Sequence, residues 1–357
     1  MIRPKHLQPG DRIAVLGGSS PTSKTAEELT KAVRDMGLEP VLYPSATAKH
    51  GFLSGTDAMR AADINAAFAD DSIKGIICTR GGYGFHRILP LLDWNTIKQN
   101  PKLFGGYSDV TAMLNALNQI CDMESYHMQM VGAWSDGLDE YTAPFVKSIL
   151  FGEPVEFVNP EGSPITTVVP GTAEGRLCGG NLSLLAASLG TPYEIDTKGK
   201  ILFIEEVGEL PYAVDGMLTQ LRNGGKFDDA AGIILGGFTN CGEKEGSLSG
   251  LSLEEIFREF WHGFTYHCSD LTVEETDEFV FRMGDTTALP LNGEAYSKRL
   301  ESFSDSTIKL ISLANSGSKE LAQKKTEIVA DSTLSEAEVR SQLIQLLNQK
   351  STKTKEQ

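Results

Sequence analysis

Leu103-Phe104-Gly105-Gly106-Tyr107-Ser108-Asp109-Val110-Thr111-Ala112 runs from apolar residues through two glycines into a serine and then a helical pattern. An apolar run closed by glycine and followed by helical periodicity predicts a strand, a tight turn and a helix. A serine on such a turn is pushed out beyond the sheet. The amide after it, that of Asp109, faces the same space at a helix N-terminus, giving a nucleophile and half an oxyanion hole. The same residues also suit a plain Ser-Asp helix cap. The spacing is not that of a Gly-x-Ser-x-Gly motif, so the residues alone leave both readings open.

Outward from this turn the pattern repeats. Arg12–Leu16, Pro40–Tyr43 and Gly75–Cys78 read as strands, and Thr25–Met36, Asp57–Phe68 and Phe85–Leu92 as helices between them. Strands separated by helices predict an α/β fold with a mainly parallel sheet and flanking helices. Residues 151–171 gather Pro154, Pro160, Gly162, Pro164 and Pro170, a linker composition. It separates an N-terminal domain, 1–150, from a second, 172–313. In the second, Gly179-Gly180-Asn181 reads as a turn opening a helix through Leu189. Ile201–Ile204 is a strand running into Glu205-Glu206. A helix over Val214–Arg222 and a strand over Gly232–Leu235 follow. From 314 to 357 the chain turns polar. There Thr333-x-x-Glu336 resembles a capping box, and Val339, Leu343, Leu346 and Leu347 share one helical face.

The net charge of −16 over 357 residues argues against a nucleic-acid partner, which needs a positive surface. No run of 18 apolar residues is present, so no membrane span is expected. The apolar stretch after Arg3 and Lys5 is too short for a signal peptide. Cysteines 78, 121, 178, 241 and 268 are scattered and odd in number, which reads as reduced thiol in a cytoplasmic protein. The six histidines show no metal-ligand spacing, and no metal or cofactor is expected.

Three further groups can carry chemistry. Arg80-Gly81-Gly82-Tyr83-Gly84 ends the neighbouring strand, and its glycines permit close backbone approach to a ligand, so Gly82 can give a second oxyanion amide. Arg80 has the fork of donors that pairs with a carboxylate. Glu205 and Glu206 end an apolar strand, and alternation makes one of them point inward.

Taken together, these segments resemble the LD-carboxypeptidase family, which also contains microcin C immunity hydrolases. The resemblance spans about Leu7 to Cys241 and more loosely reaches residue 300. It is carried by Leu7-x-Pro9-Gly10-Asp11, His50-Gly51-Phe52-Leu53-Ser54-Gly55-x-Asp57, Arg80–Gly84 and Phe104–Ala112. Gly179-Gly180-Asn181-Leu182, Ile201–Glu206 and Met217-Leu218-Thr219-Gln220-Leu221 complete it. The resemblance implies a smaller, β-rich C-terminal domain and a homodimer. It also implies a metal-free Ser-His-Glu triad that cleaves an L,D-amide next to a free C-terminus, as in the terminal D-alanine of murein tetrapeptide. By position it makes Ser108 the nucleophile and Glu205 the orienting acid. The amides of Gly82 and Asp109 become the oxyanion donors, and Arg80 and Tyr83 the substrate-binding residues. The expected partner is a small peptide with a free carboxylate.

The histidine stays open. The family's Gly-His segment precedes a Leu-Pro-Leu-Gly-like stretch; here Gly284-Asp285 precedes Leu289-Pro290-Leu291-Asn292-Gly293. Local motif points to Asp285 and chain distance to His267, and a member that kept the cleft but lost its base is the rival account. The chain also reads His127-Met128-Gln129-Met130 where the family has His-Gly-Pro-Met, and Asp215-Gly216 where it has Asp-Arg. Trp134, Trp261 and Phe264 are the aromatics available to stack on a base, should the substrate be a microcin-like aminoacyl nucleotide.

Overall fold

Apolar strands that cannot be solvated on either face need helices on both sides, and the first half of the chain is built that way. The computed structural model describes residues 1–153, 167–242, 250–262, 335, 338–339 and 341–343. Strands β1 (Arg12–Leu16), β2 (Glu39–Leu42), β3 (Ile73–Cys78), β4 (Leu103–Gly106) and β5 (Tyr126–His127) form one sheet in the order β2-β1-β3-β4-β5. All four pairings are parallel.

Helices alternate with these strands: α1 (Ala26–Asp35), α2 (Asp57–Ala69), α3 (Phe85–Ile88), α4 (Trp94–Gln99), α5 (Thr111–Cys121), α6 (Val131–Asp136) and α7 (Thr142–Phe151). Side-chain alternation sorts them into two layers. Ala14, Ile76 and Phe104 pack with α2 to α5, whereas Ile13, Val15 and Leu103 pack with α1, α6 and α7. Thr25 caps α1 in a full capping box with Glu28, and Gly37 follows its C-cap at φ 79°. The predicted Phe85–Leu92 helix is split, because Pro90 holds Leu89–Leu91 as a separate 3₁₀ turn. Helices α4, α6 and α7 and the two-residue β5 have no counterpart in the sequence-based reading.

A second sheet contains β6 (Arg176–Asn181), β7 (Lys200–Val207) and β8 (Gly232–Thr239), again all parallel. Helices α8 (Leu182–Ser188), α9 (Pro211–Asn223) and α10 (Leu253–His262) cover it around Leu202, Ile204, Leu218 and Phe260. Gly179-Gly180-Asn181 is therefore the end of a strand and not a turn. The reason is the close approach of β7: a Cβ at Gly179, whose φ is 116°, would lie 1.9 Å from the Phe203 carbonyl oxygen.

The described parts of 1–153 and 173–262 belong to one compact unit, and the two sheets meet along α5. Asn115 donates to the Gly179 carbonyl (2.9 Å) and accepts from the Gly179 amide (3.1 Å), while Thr111 Oγ1 accepts from the Asn181 amide (3.1 Å). A helix face carrying threonine and asparagine thus satisfies a strand edge that would otherwise stay unpaired.

Residues 167–172 and those from 335 onward belong to a second unit. There Ser335 and Glu338 form a reciprocal cap (2.8 Å to the Ser335 amide, 3.4 Å back to Ser335 Oγ), and Val339 and Leu343 are buried. Thr333, Glu336, Leu346 and Leu347 lie outside the described residues.

Among the described residues, no helix is long and apolar enough to cross a membrane, and Cys78, Cys121, Cys178 and Cys241 are free and buried.

Gly179→Ala is expected to destabilise the protein by about 3 kcal/mol or more, since a Cβ there meets backbone that cannot rotate away. Chemical denaturation checks this.

Candidate active site

In an open parallel sheet ligands bind beyond the carboxyl ends of the strands, where the strand order reverses. The order β2-β1-β3-β4-β5 reverses beside β1, and the loops after β1, β3, β4 and β5 all converge there. They enclose a cavity of about 340 Å³ lined by Thr22, Lys24, Arg80, Gly81, Ser108 and Asp136, among others.

Ser108 enters this cavity on a strained turn. Its φ is 63°, one of three positive values among the non-glycine described residues. This left-handed conformation costs an L-residue about 1–2 kcal/mol, and it aims the side chain away from the sheet. The serine does not cap the helix. Tyr107 occupies the N-cap position, no side chain caps the 3₁₀ turn Ser108–Val110, and α5 follows directly. The Asp109 carboxylate turns back instead, accepting from Ser19 Oγ (2.6 Å) and the Phe85 amide (2.9 Å) while 2% exposed.

The glycine-rich loop lies against the serine. A Cβ at Gly81 would sit 2.8 Å from Ser108 Cβ and 2.9 Å from its Oγ, so only glycine fits. Ser20 Oγ accepts from the Tyr83 amide (3.2 Å), which fixes the next two residues. Val110 N donates to the Tyr107 carbonyl (3.3 Å), whereas the amides of Gly82 and Asp109 enter no turn or side-chain hydrogen bond among the described residues. Arg80 is exposed at the cavity wall, its Nε on the Gly81 carbonyl (3.2 Å) and one Nη near that of Pro21 (3.5 Å). Tyr83 is exposed and meets Phe52 edge-on, ring centres 5.7 Å apart.

Beneath these loops Arg60, wholly buried, donates to the carbonyls of Gly18 and Gly84 and pairs with Asp57 (2.5 Å), which also binds Arg87 (2.8 Å). Sequence reading passed over Arg60; a lone arginine in a helix pattern gives no sign that it will be buried.

The two glutamates of β7 differ sharply. Glu206 points inward and is saturated by Asn181 Nδ2 (2.9 Å), Ser183 N (2.8 Å), Ser183 Oγ (2.5 Å) and Val207 N (2.8 Å). Glu205 is on the opposite face, where its Oε1 is buried with no partner among the described residues. Burial, with the Glu206 charge adding to it and Asn181 partly offsetting it, pushes the Glu205 pKa up to about 7. The ladder to β8 shifts between Ile204 and Glu206, opposite Gly236-Gly237.

The face of β7 that carries Glu205 also carries Phe203, whose ring meets His127 edge-on at 5.6 Å; His127 in turn lies 6.0 Å from the Tyr107 ring, next to Ser108. His127 keeps an exposed edge, yet the surrounding protein desolvates its imidazole and lowers the pKa to about 4. It is a neutral packing group at pH 7. His267 and Asp285 lie outside the described residues. Trp134 is a core residue, clustered with residues of α1 and α7, whereas Trp261 is half-buried against Phe227, Phe257 and Phe260; Phe264 lies outside the described residues. Among the described residues, no cluster of three metal-ligating side chains occurs.

Two family models match this arrangement: the LD-carboxypeptidase N-terminal domain over residues 13–128 and the LD-carboxypeptidase C-terminal domain over residues 174–269. The chain belongs to the LD-carboxypeptidase family. A probable murein peptide carboxypeptidase of Bacillus subtilis is 41% identical over 262 residues, 72% of this chain and 81% of that one. The murein tetrapeptide carboxypeptidase of Pseudomonas aeruginosa is 30% identical, covering 71% of this chain and 84% of its own. Among solved structures, the microcin C7 self-immunity protein MccF, as a mutant bound to adenosine monophosphate, superposes with a TM-score of 0.65 at 25% identity. The match covers 74% of this chain and 88% of that one. Membership makes this protein a carboxypeptidase-like hydrolase of the serine type.

Glu205→Gln tests the raised carboxyl. Below the ordinary value of 4.5 the carboxyl is protonated whether folded or not; as pH rises toward about 7 the unfolded chain ionises first and stability is lost. Thermal unfolding is expected to show wild type and variant alike near pH 4, with the variant more stable by a few degrees at pH 8.

Proposed function

We propose that the protein is a cytoplasmic, homodimeric LD-carboxypeptidase that releases the terminal D-alanine from murein tetrapeptide during peptidoglycan recycling. The observation that carries this reading is Ser108, held at positive φ at the mouth of the 340 Å³ cavity with Gly81 against it. Its relatives of the murein carboxypeptidase type support the substrate class.

In the mechanism that fits, Ser108 Oγ attacks the carbonyl of the third residue as a base removes the hydroxyl proton. The amides of Gly82 and Asp109 stabilise the oxyanion. The base, now an acid, protonates the leaving amine of D-alanine, and water then hydrolyses the acyl-serine by the same route. His267 is the proposed base and Glu205 the group that holds its tautomer. Glu205 must lose its proton for that, so kcat/KM is expected to rise with pH through about 7. Arg80 and Tyr83, on the exposed side of the same loop, are placed to meet the substrate carboxylate.

A microcin-like aminoacyl nucleotide is the second reading, supported by the MccF likeness. The burial of Trp134 in the core weighs against it, because that ring offers no open face to a base.

Release of D-alanine from murein tetrapeptide is expected for wild type, with kcat falling by about 10³-fold or more in both Ser108→Ala and His267→Ala. Activity that survives His267→Ala but not Ser108→Ala moves the base to Asp285. A wild type that binds the peptide without turnover overturns the enzyme reading in favour of a binding protein.

A further inference from the structure

We propose that Asp57 is a positioning residue for the reaction: its carboxylate holds two guanidinium groups, and through them it sets the Gly82 amide for the oxyanion and the Tyr83 side chain for the substrate. The role rests on the carboxypeptidase reading of Ser108 and deepens it. It assigns a task to the segment His50–Asp57, which does not line the Ser108 cavity.

The first arm runs inward. Asp57 opens α2 and pairs with Arg60 (2.5 Å), and Arg60 donates through Nη1 to the carbonyls of Gly18 and Gly84. Gly18 follows β1 and Gly84 closes the loop after β3, so one guanidinium joins the two loops. Ser20 holds the same backbone from another side: its Oγ accepts from the Tyr83 amide, and a Cβ at Gly82 would lie 2.4 Å from that oxygen. Gly81, just before, packs against Ser108. The Gly82 amide is thus held on both sides, and its direction relative to Ser108 depends on the Gly84 anchor.

The second arm runs outward. Arg87, four residues after Tyr83, makes a forked pair with Asp57, with Nε at 3.1 and 3.2 Å and one Nη at 2.8 Å. Those bonds are the chief cause that raises the Arg87 pKa, and a hydrogen bond with the Tyr83 hydroxyl adds to it. The Tyr83 ring itself is exposed and meets Phe52 edge-on. The segment therefore holds Tyr83 twice, at the ring through Phe52 and at the hydroxyl through Asp57 and Arg87.

Neither arginine stands where stability alone would place it. Arg60 is wholly buried, and its Nε has no partner among the described residues, so the charge is desolvated with incomplete compensation. An apolar side chain of similar volume serves a fold as well or better, yet none can bind two carbonyls. A Cβ at Gly84, whose φ is 136°, would lie 2.7 Å from Arg60 Nη1 and 2.8 Å from Leu53 Cδ2, so the segment and the loop are fitted to each other. Arg87 is 44% exposed, and an ion pair that open to water contributes little to the fold.

The experiment measures release of D-alanine from murein tetrapeptide by the full chain, and the two arms move different constants. Arg60→Met is expected to lower kcat about 10²-fold with KM held, because only the transition state carries an oxyanion. Arg87→Met is expected to raise KM about tenfold with kcat held, and Arg87→Lys, which keeps the charge without the fork, recovers part of that loss. Asp57→Asn does both. Tyr83→Phe raises KM, and adding Arg87→Met to it raises KM no further; additive effects overturn the Tyr83 arm. Where circular dichroism shows that Arg60→Met does not fold, Arg60→Lys takes its place with the same expected split. Values of kcat and KM that move together in the Arg60 and Arg87 variants, or stay at those of wild type, overturn the positioning role and leave the carboxypeptidase reading standing. A wild type without turnover overturns that reading and the Gly82 arm with it. Calorimetric binding of the peptide to Ser108→Ala then decides the Tyr83 arm: a tenfold loss on adding Arg87→Met keeps it, and unchanged affinity overturns it.

Discussion

A single buried carboxylate holds the carboxyl end of the sheet together. Asp109 follows the serine after β4, and one of its oxygens, Oδ2, accepts from both the hydroxyl of Ser19 after β1 and the amide of Phe85 after β3. Three loops from three strands are thereby set by one side chain. Removing a partner would leave a charge stranded in a dry site, so the arrangement is all-or-none. Arg60 does the complementary work from below, its donors on carbonyls of the first and second of these loops. An acid above and a base below fix the backbone that Ser108 and Gly81 share.

The adjacent glutamates of β7 show how one strand supplies two unlike carboxyls. Period-two alternation sends them to opposite faces, and the two faces were furnished differently. Glu206 meets four donors and ties β7 to the start of α8. Glu205 meets desolvation with little compensation, and its proton affinity rises accordingly. Carboxyls under such tension concentrate at reacting centres.

Much of this was legible in the residues. Strand β4 and helix α2 fall where apolar runs and helical periodicity place them, and the serine turn was readable from Gly105-Gly106 and the helix beyond. The short β5 was not, because two residues carry no periodicity. Nor was the strand character of Gly179-Gly180: glycine pairs signal turns locally, and only the approach of Phe203 from β7 explains them as ladder residues. The Lys24–Asp136 pair spans 112 positions, and no local pattern joins them. The residues alone do not tell Glu205 from Glu206; in three dimensions their hydrogen bonds differ.

The turn at Ser108 also restricts which side chains the position proposed for the nucleophile can carry. Threonine has the same hydroxyl, but its second branch at Cβ is badly accommodated at φ 63°. Cysteine, unbranched at Cβ, keeps a way in. Evolution from this fold therefore has a thiol route open to it and a threonine route closed, and the lock is a backbone angle laid down before any chemistry begins.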